Sequence, residues 1–343
     1  MNPQELKKLE DKLLENLKKF LPKESKVILG VSGGPDSIFL LHILDKLKNT
    51  HPIKIVIAHV NHLLRGKESD LDEKFVKNLA KEKNHIIHLL KKDIAKISKT
   101  LKKGLEETGR EIRYEFFKEL AKKQKANFLL TAHHADDNLE TIIMNFVRGA
   151  GLNGLAGMKE IEKLDKNLHL IRPLLDISKD QILKYLKANR ITYRTDKSNK
   201  NTIYKRNYIR HKIIPSLKKI NPNISNTIAK NTKHIREISK LLEEKTITFI
   251  DKNSLNKSKT KINTKSLKSQ PKTIQKEIIL HLYKNLAGNT KNIETPHIEE
   301  VLKIINGKEG NKKKSLGNFT FSIKNNILSI TKNSGKSAQK SPL

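Results

Sequence analysis

Over the first 175 residues, short apolar runs alternate with stretches in which apolar positions recur three and four residues apart. The runs 27–31, 53–60, 85–90, 128–131 and 169–171 read as strands, and 37–48, 70–84, 109–125 and 137–148 as helices between them. Such alternation predicts an α/β fold with a doubly wound parallel sheet. The run IKIVIAHV (53–60) is apolar nearly throughout, as expected of a strand covered by helices on both faces. Ligands of such sheets bind beyond the carboxyl ends of the strands. Ahead of the first strand, Leu6, Leu9, Leu13, Leu14, Leu17 and Phe20 recur at helical spacing among lysines and glutamates.

From 176 the pattern changes. Ser178 is placed to cap a helix running through Ala188. The stretch 194–215 (RTDKSNKNTIYKRNYIRHKIIP) is polar, basic and studded with Tyr and Arg, and Pro215 is expected to close it. Beyond lies a Lys/Asn-rich, mostly helical region whose clearest apolar patches are Leu241–Leu242 and 278–286. Residues 310–330 alternate like a hairpin with Asn325–Asn326 as its turn. The expected organisation is an α/β domain over 1–215, a basic, mainly helical domain over 216–332 ending in short strands, and a disordered tail over 333–343. No internal repeat is present.

Charge changes the picture most. The 343 residues carry 70 Lys and Arg against 36 Asp and Glu, a net +34. Residues 216–343 hold 26 Lys and Arg against 9 Asp and Glu, so a net +17 falls on little more than a third of the chain. Such a field favours polyanions, nucleic acid ahead of a membrane surface. Base composition rich in A and T also supplies lysines, though not the arginines noted below. Cysteine is absent, which excludes disulfides, thiolate zinc sites, iron–sulfur ligation and a cysteine nucleophile. No run of 18 apolar residues exists to span a membrane, and the N-terminal stretch lacks the continuous apolar segment of a signal peptide. The expectation is a cytoplasmic protein.

The candidate chemistry gathers where runs end. Between the first strand and the next helix lies SGGPDS (32–37). A helix start offers free N–H groups to anions. Gly33 and Gly34 let the backbone approach a phosphate closely, and Ser32 and Ser37 add hydroxyls. A P-loop would place a lysine before the hydroxyl residue, but here that position holds Asp36. A carboxylate beside phosphates makes sense with Mg²⁺ between them. The second cluster is TAHHADDNLET (131–141), with Asp137 and Glu140 three apart on a helix that starts close to Ala135. Its histidines and carboxylates suit either a metal or the counter-charge of a cationic amine. Upstream, Gly109 to Tyr114 open a further helix with Arg110 and Arg113 on one face, suited to phosphate.

SGGPDS resembles the pyrophosphate-gripping loop of the N-type ATP pyrophosphatases (the PP-loop family), which adenylylate a substrate oxygen and release pyrophosphate. With AHVNHLLRG (58–66), REIRYEFF (110–117), TAHHADDNLET (131–141), RGAGLNGLAGM (148–158), IRPLL (171–175), DKSN (196–199) and YKRNYIRHKIIP (204–215), the chain is similar over about 1–220 to the tRNA(Ile)-lysidine synthetase family. Residues 216–330 resemble that family's smaller helical domain only loosely.

The resemblance implies ATP-dependent ligation of free L-lysine to C2 of the wobble cytidine of an isoleucine tRNA with a CAU anticodon. It passes through an adenylylated cytidine and releases pyrophosphate and AMP. Ser32, Gly33, Gly34, Pro35, Asp36 and Ser37 would then hold ATP, with Asp36 near Mg²⁺. Arg113 and His133 would stabilise developing charge. Asp137 and Glu140 would hold the lysine ammonium, and one of them would take its proton. Arg194, Arg206 and Arg210 would meet the tRNA backbone, with Tyr193, Tyr204 and Tyr208 stacking on bases or serving as ordinary core tyrosines. A related tRNA thiolase would rely on cysteines that are missing here. Small-molecule ligases of the family would not need the basic second half. A non-enzymatic RNA-binding protein with a relic loop is the reading from another class. A homodimer is compatible with the chain.

Overall fold

The computed structural model describes residues 1–195, 205–288, 293, 295–307 and 312–333. In chain order its elements are α1 (Pro3–Phe20), β1 (Ser25–Gly30), α2 (Pro35–Thr50), β2 (Ile53–Asn61), α3 (Lys67–Glu82), β3 (Ile86–Lys91), α4 (Ile94–Leu101), α5 (Leu105–Gln124), β4 (Phe128–Leu130) and α6 (Ala135–Val147). There follow α7 (Leu152–Leu155), β5 (Ile161–Asp165), β6 (Leu168–Ile171), α8 (Lys179–Ala188), α9 (Lys205–Tyr208), a π-helical turn (Ile209–Ile213), α10 (Ile214–Ile220) and α11 (Ile224–Asn253). The remainder is β7 (Lys261–Asn263), α12 (Thr264–Lys268), α13 (Lys272–Ala287), α14 (Thr295–Asn306), β8 (Lys312–Leu316), β9 (Phe319–Lys324) and β10 (Ile327–Lys332). Backbone contacts divide the chain into two compact units: Met1–Met144 with Gly157–Thr232, and Asn145–Ala156 with the chain from Lys233 onward.

The first unit is the expected α/β sheet, six strands in the order β3-β2-β1-β4-β6-β5. Five run parallel, and β5 pairs antiparallel with β6 at the edge. In β2, Ile55 and Ile57 join a core under α1, α2 and α8, while Val56 and Ala58 join a second core against Phe117, Leu120 and Ala121 of α5. That burial on both faces explains the continuous apolar run. The helices start where local chemistry favours them. Asn2 and Glu5 form a capping box ahead of α1, with Glu5 N–H donating to Asn2 at 2.8 Å. Ser178 and Gln181 do the same for α8, as the sequence predicts.

Three local expectations are corrected. Helix α5 opens at Leu105, four residues before Gly109. Gly109 therefore lies inside the helix, where a Cβ would come within 3.6 Å of Ile94 and 3.7 Å of His62. Pro215 does not close the basic stretch. It sits in the first turn of α10, directly after the π-helical turn, and the helical run continues through it to Ile220. Strand β5 (IEKLD) and helix α4 had no clear signal, because a short edge strand and a two-turn helix bury few positions.

The second unit carries its own core, built from Ile278, Ile279 and Leu282 of α13, Val301 and Ile305 of α14, and Phe321 and Leu328. Its sheet has four antiparallel strands in the order β7-β10-β9-β8. The expected hairpin is β9–β10, and Asn325 and Asn326 both take positive φ (50° and 59°), the geometry a two-residue turn needs. Of the expected patch at Leu241–Leu242, Leu242 packs against this core while Leu241 is 52% exposed. The tail after residue 333 lies outside the described residues, as do the DKSN motif and Tyr204. No helix among the described residues is long and apolar enough to cross a membrane.

Candidate active site

The sheet order reverses at β1: the chain moves from β1 to β2 and β3, then returns to β4 on the other side. At such a switch point the loops beyond two adjacent strands diverge and leave a crevice. SGGPDS follows β1, and Thr131–His134 follow β4. A cavity of about 720 Å³ opens here, lined among others by Ser32, Asp36, Ser37, His59, Arg113 and His133.

The glycine loop is held by its own hydroxyls. Ser32 N–H donates to Ser37 Oγ (3.2 Å), Gly34 N–H to Ser32 Oγ (3.3 Å), and Ser37 Oγ to the Gly34 carbonyl (3.0 Å). Gly33 has φ +88°, which an L side chain rarely adopts. Gly34 is the N-cap of α2 and, having no side chain, makes no capping bond; Pro35 follows at the helix start. A 16-residue helix therefore ends at the cavity without a side-chain cap, which favours an anion.

Asp36 faces a cation that the sequence did not suggest. Lys179 Nζ lies 2.6 and 2.7 Å from its two carboxylate oxygens. The partners are 143 positions apart, so no local pattern links them. Mg²⁺ commonly takes one or two carboxylates together with substrate phosphates. One carboxylate beside an uncapped helix start fits that pattern once Lys179 is displaced from it, and among the described residues no group of three or more His, Cys, Asp or Glu could hold a metal alone.

His134, which sequence reasoning passed over in favour of His133, joins the two clusters. It is buried, with Nε2 3.7 Å from Asp36 and 3.4 Å from Asp137, and Asp137 accepts its backbone N–H at 3.1 Å. His133 packs beside Thr131, with Nδ1 2.9 Å from the hydroxyl. Burial, reinforced by Arg172, Arg113 and Arg110 against the pull of Asp137, depresses His133 to about 3. It is neutral at physiological pH and offers a hydrogen bond rather than a charge. Burial also lowers Arg113, whose guanidinium lies 6.0 Å from the Tyr114 ring, with Arg110 at 4.8 Å.

Asp137 and Glu140 share one face of α6, one turn apart, and both are held by guanidinium groups. Glu140 is 1% exposed and accepts from Arg210 Nε at 2.6 Å and Arg206 Nε at 2.9 Å. Arg210 also donates to Asp137 at 3.1 Å. Burial pushes the Asp137 carboxyl up, but His134, His133, Arg206 and Arg210 outweigh it and hold the group down at about 2. Two of the arginines expected at tRNA thus lie on the two carboxylates expected to hold an amine. The neighbouring Asp136 anchors the site: Lys218 Nζ (2.5 Å), Lys179 N–H (2.9 Å) and Ser225 Oγ (3.1 Å) all donate to it. Arg194 lies on Asp72 and Glu68. Of the tyrosines, Tyr193 is partly buried against the main core, whereas Tyr208 is 50% exposed.

The chain matches the PP-loop domain family over residues 5–217. A tRNA(Ile)-lysidine synthase from Clostridium tetani is 36% identical over 306 residues, covering 88% of this chain and 64% of that protein. One from Caldanaerobacter subterraneus is 32% identical, covering 86% and 63%. One from Chlorobaculum tepidum is 37% identical, covering 72% and 71%. The chain spans slightly under two thirds of the length of the first two. Among solved structures, a U34-tRNA thiolase from Methanococcus maripaludis superposes with a TM-score of 0.58 at 20% identity over 68% of this chain and 81% of that one, a likeness of fold alone. The glycine loop, the strand-end cluster and the extent of these matches place the chain in the PP-loop family and, within it, among the tRNA(Ile)-lysidine synthases.

Proposed function

We propose that this chain ligates lysine to the wobble cytidine of an isoleucine tRNA with a CAU anticodon, using ATP. The observation that carries this reading is the joining, through His134, of an uncapped glycine loop and a buried pair of carboxylates at adjacent strand ends. The loop suits the β- and γ-phosphates of ATP, and the carboxylates suit an ammonium. Cytidine O2 attacks the α-phosphate and pyrophosphate leaves; the lysine ε-ammonium then gives a proton to Glu140 or solvent, and the resulting amine attacks C2 as AMP leaves.

Ser32, Gly33, Gly34 and Ser37 would cradle the pyrophosphate moiety through N–H groups and hydroxyls, with Pro35 fixing the backbone at the helix start. Asp36 would hold Mg²⁺, which when bound neutralises phosphate charge. Arg113 supplies positive charge beside the α-phosphate, and neutral His133 donates a hydrogen bond to charge developing there. Asp137 and Glu140 orient the ammonium as counter-charges. A carboxylate held near 2 is too weak a base to deprotonate an ammonium, so the role of Asp137 is electrostatic. An incoming amine must displace Arg206 or Arg210 from these carboxylates. The released guanidinium is then available to an anion, the substrate's α-carboxylate or the tRNA backbone.

The two half-reactions can be separated. With ATP labelled at the α-phosphate, tRNA present and lysine withheld, label should accumulate on the tRNA as an acid-labile adenylate. Adding lysine should release it as AMP. Label that never reaches the tRNA, from protein that consumes ATP, would exclude the adenylylated intermediate.

A further inference from the structure

Arg194 sits at the start of the basic stretch and reads from the sequence as an RNA contact. Its bonds point elsewhere. Its backbone N–H donates to the carbonyl of Gly33 at 2.9 Å. Its guanidinium is spent on α3: Nε donates to Asp72 at 2.9 Å and a terminal nitrogen to Glu68 at 2.8 Å. Asp72 is buried and also accepts from Arg65 at 2.8 Å. Two arginines and two acids thus make a locally neutral cluster, with little net charge left to draw a phosphodiester. The aliphatic stem of Arg194 packs near Gly33, where a Cβ would lie 3.9 Å from Arg194 Cγ and 3.4 Å from Val76 on α3. One residue therefore ties the glycine loop, by its backbone and stem, to α3, by its fork.

An anion cradle works through N–H groups, and a carbonyl turned into it repels the ligand. Gly33, at φ +88°, is the loop residue freest to turn its carbonyl. Resting on the ATP reading above, we infer that Arg194 is a positioning residue of the phosphate loop and not an RNA contact. It fixes the Gly33 peptide with its carbonyl engaged outside the cradle, and its fork on Glu68 and Asp72 holds it in place to do so. An isolated surface ion pair is worth little; this one matters because it sets the geometry of the loop.

Lysine distinguishes the two roles. A point charge suffices for a phosphodiester, but a lysine cannot span two carboxylates as the arginine fork does. Equilibrium dialysis with radiolabelled ATP reads the loop without turnover, and filter binding with an isoleucine tRNA transcript reads the RNA surface. Arg194→Ala and Arg194→Lys should both weaken ATP by about fivefold while tRNA affinity and melting temperature stay near wild type. In tRNA-dependent pyrophosphate release, KM for ATP should rise with kcat little changed. Glu68→Gln should weaken ATP in the same direction, and combining it with Arg194→Ala should add little. Unchanged ATP affinity in Arg194→Ala, or weakened tRNA binding restored by Arg194→Lys, would overturn the assignment. A fall in melting temperature with ATP and tRNA affinity lost alike would reduce it to a structural pair. Wild-type protein that binds ATP but forms no product would refute the proposed function and leave the dialysis comparison standing. Wild-type protein that binds no ATP would overturn both.

Discussion

Two histidines near the cavity are held neutral by burial: His133 at about 3 and His62 at about 4, against an ordinary value of 6.5. The Nδ1 of His62 is buried without a hydrogen-bond partner, so protonating it would leave a buried N–H unpaired beside Arg113. As pH falls below 6.5 the unfolded chain takes up protons at both sites that the folded chain refuses until about 4 and 3. Their stabilisation is thus full above 6.5 and is lost progressively as pH falls through that window. Asp137, lowered from 3.8 to about 2, adds a loss further into acid. The melting temperature should therefore drop between about pH 7 and pH 5, with a shallower slope in His62→Asn; an equal slope would refute the burial account. At this scale the sequence revealed which groups matter better than what they touch. Ser32 to Ser37, His133, Asp137 and Glu140 stand in short contiguous motifs. The pairs Lys179–Asp36, Arg210–Glu140 and Arg194–Asp72 join positions 143, 70 and 122 apart, and only the fold brings them together.

Strands and long helices were legible because their apolar periods are repeated over many positions. Strand β2 and helix α6 stand where the pattern placed them, and the turn at Asn325–Asn326 followed from residues that tolerate positive φ. The start of α5 was misplaced because its first turn, LEETG, buries only Thr108 and Gly109. The π-helical turn had no signal in composition; it lies between α9 and α10, with Ile214 N–H donating to the Ile209 carbonyl. Glycines after a helix are weak evidence for function, yet Gly157 has a definite job. Its φ is +67°, and a Cβ there would collide with the Oδ1 of Asn138, a fully buried side chain whose Oδ1 accepts the Met158 N–H at 2.8 Å. Gly157→Ala should destabilise the first unit by about 2 kcal/mol or more, read as a lower denaturant midpoint. Gly151, where a Cβ meets nothing within 4 Å, should tolerate the same change.

For the molecule as a whole, a net charge of +34 sets how it meets a polyanion. If tRNA is the substrate, its affinity should fall steeply with salt. Six or more phosphate contacts imply a loss of about 10³-fold between roughly 50 and 200 mM, measured by filter binding. A flat salt profile would assign the lysines to composition rather than recognition. The central claim is that the cluster after β4 presents lysine to a cytidine activated at the loop after β1. The most direct measurement is incorporation of radiolabelled lysine into an unmodified isoleucine tRNA with a CAU anticodon, in the presence of ATP and Mg²⁺, by wild type and Asp36→Ala. The account predicts label in the tRNA that requires ATP and disappears in the variant. Protein that binds both tRNA and ATP yet transfers no lysine would contradict it.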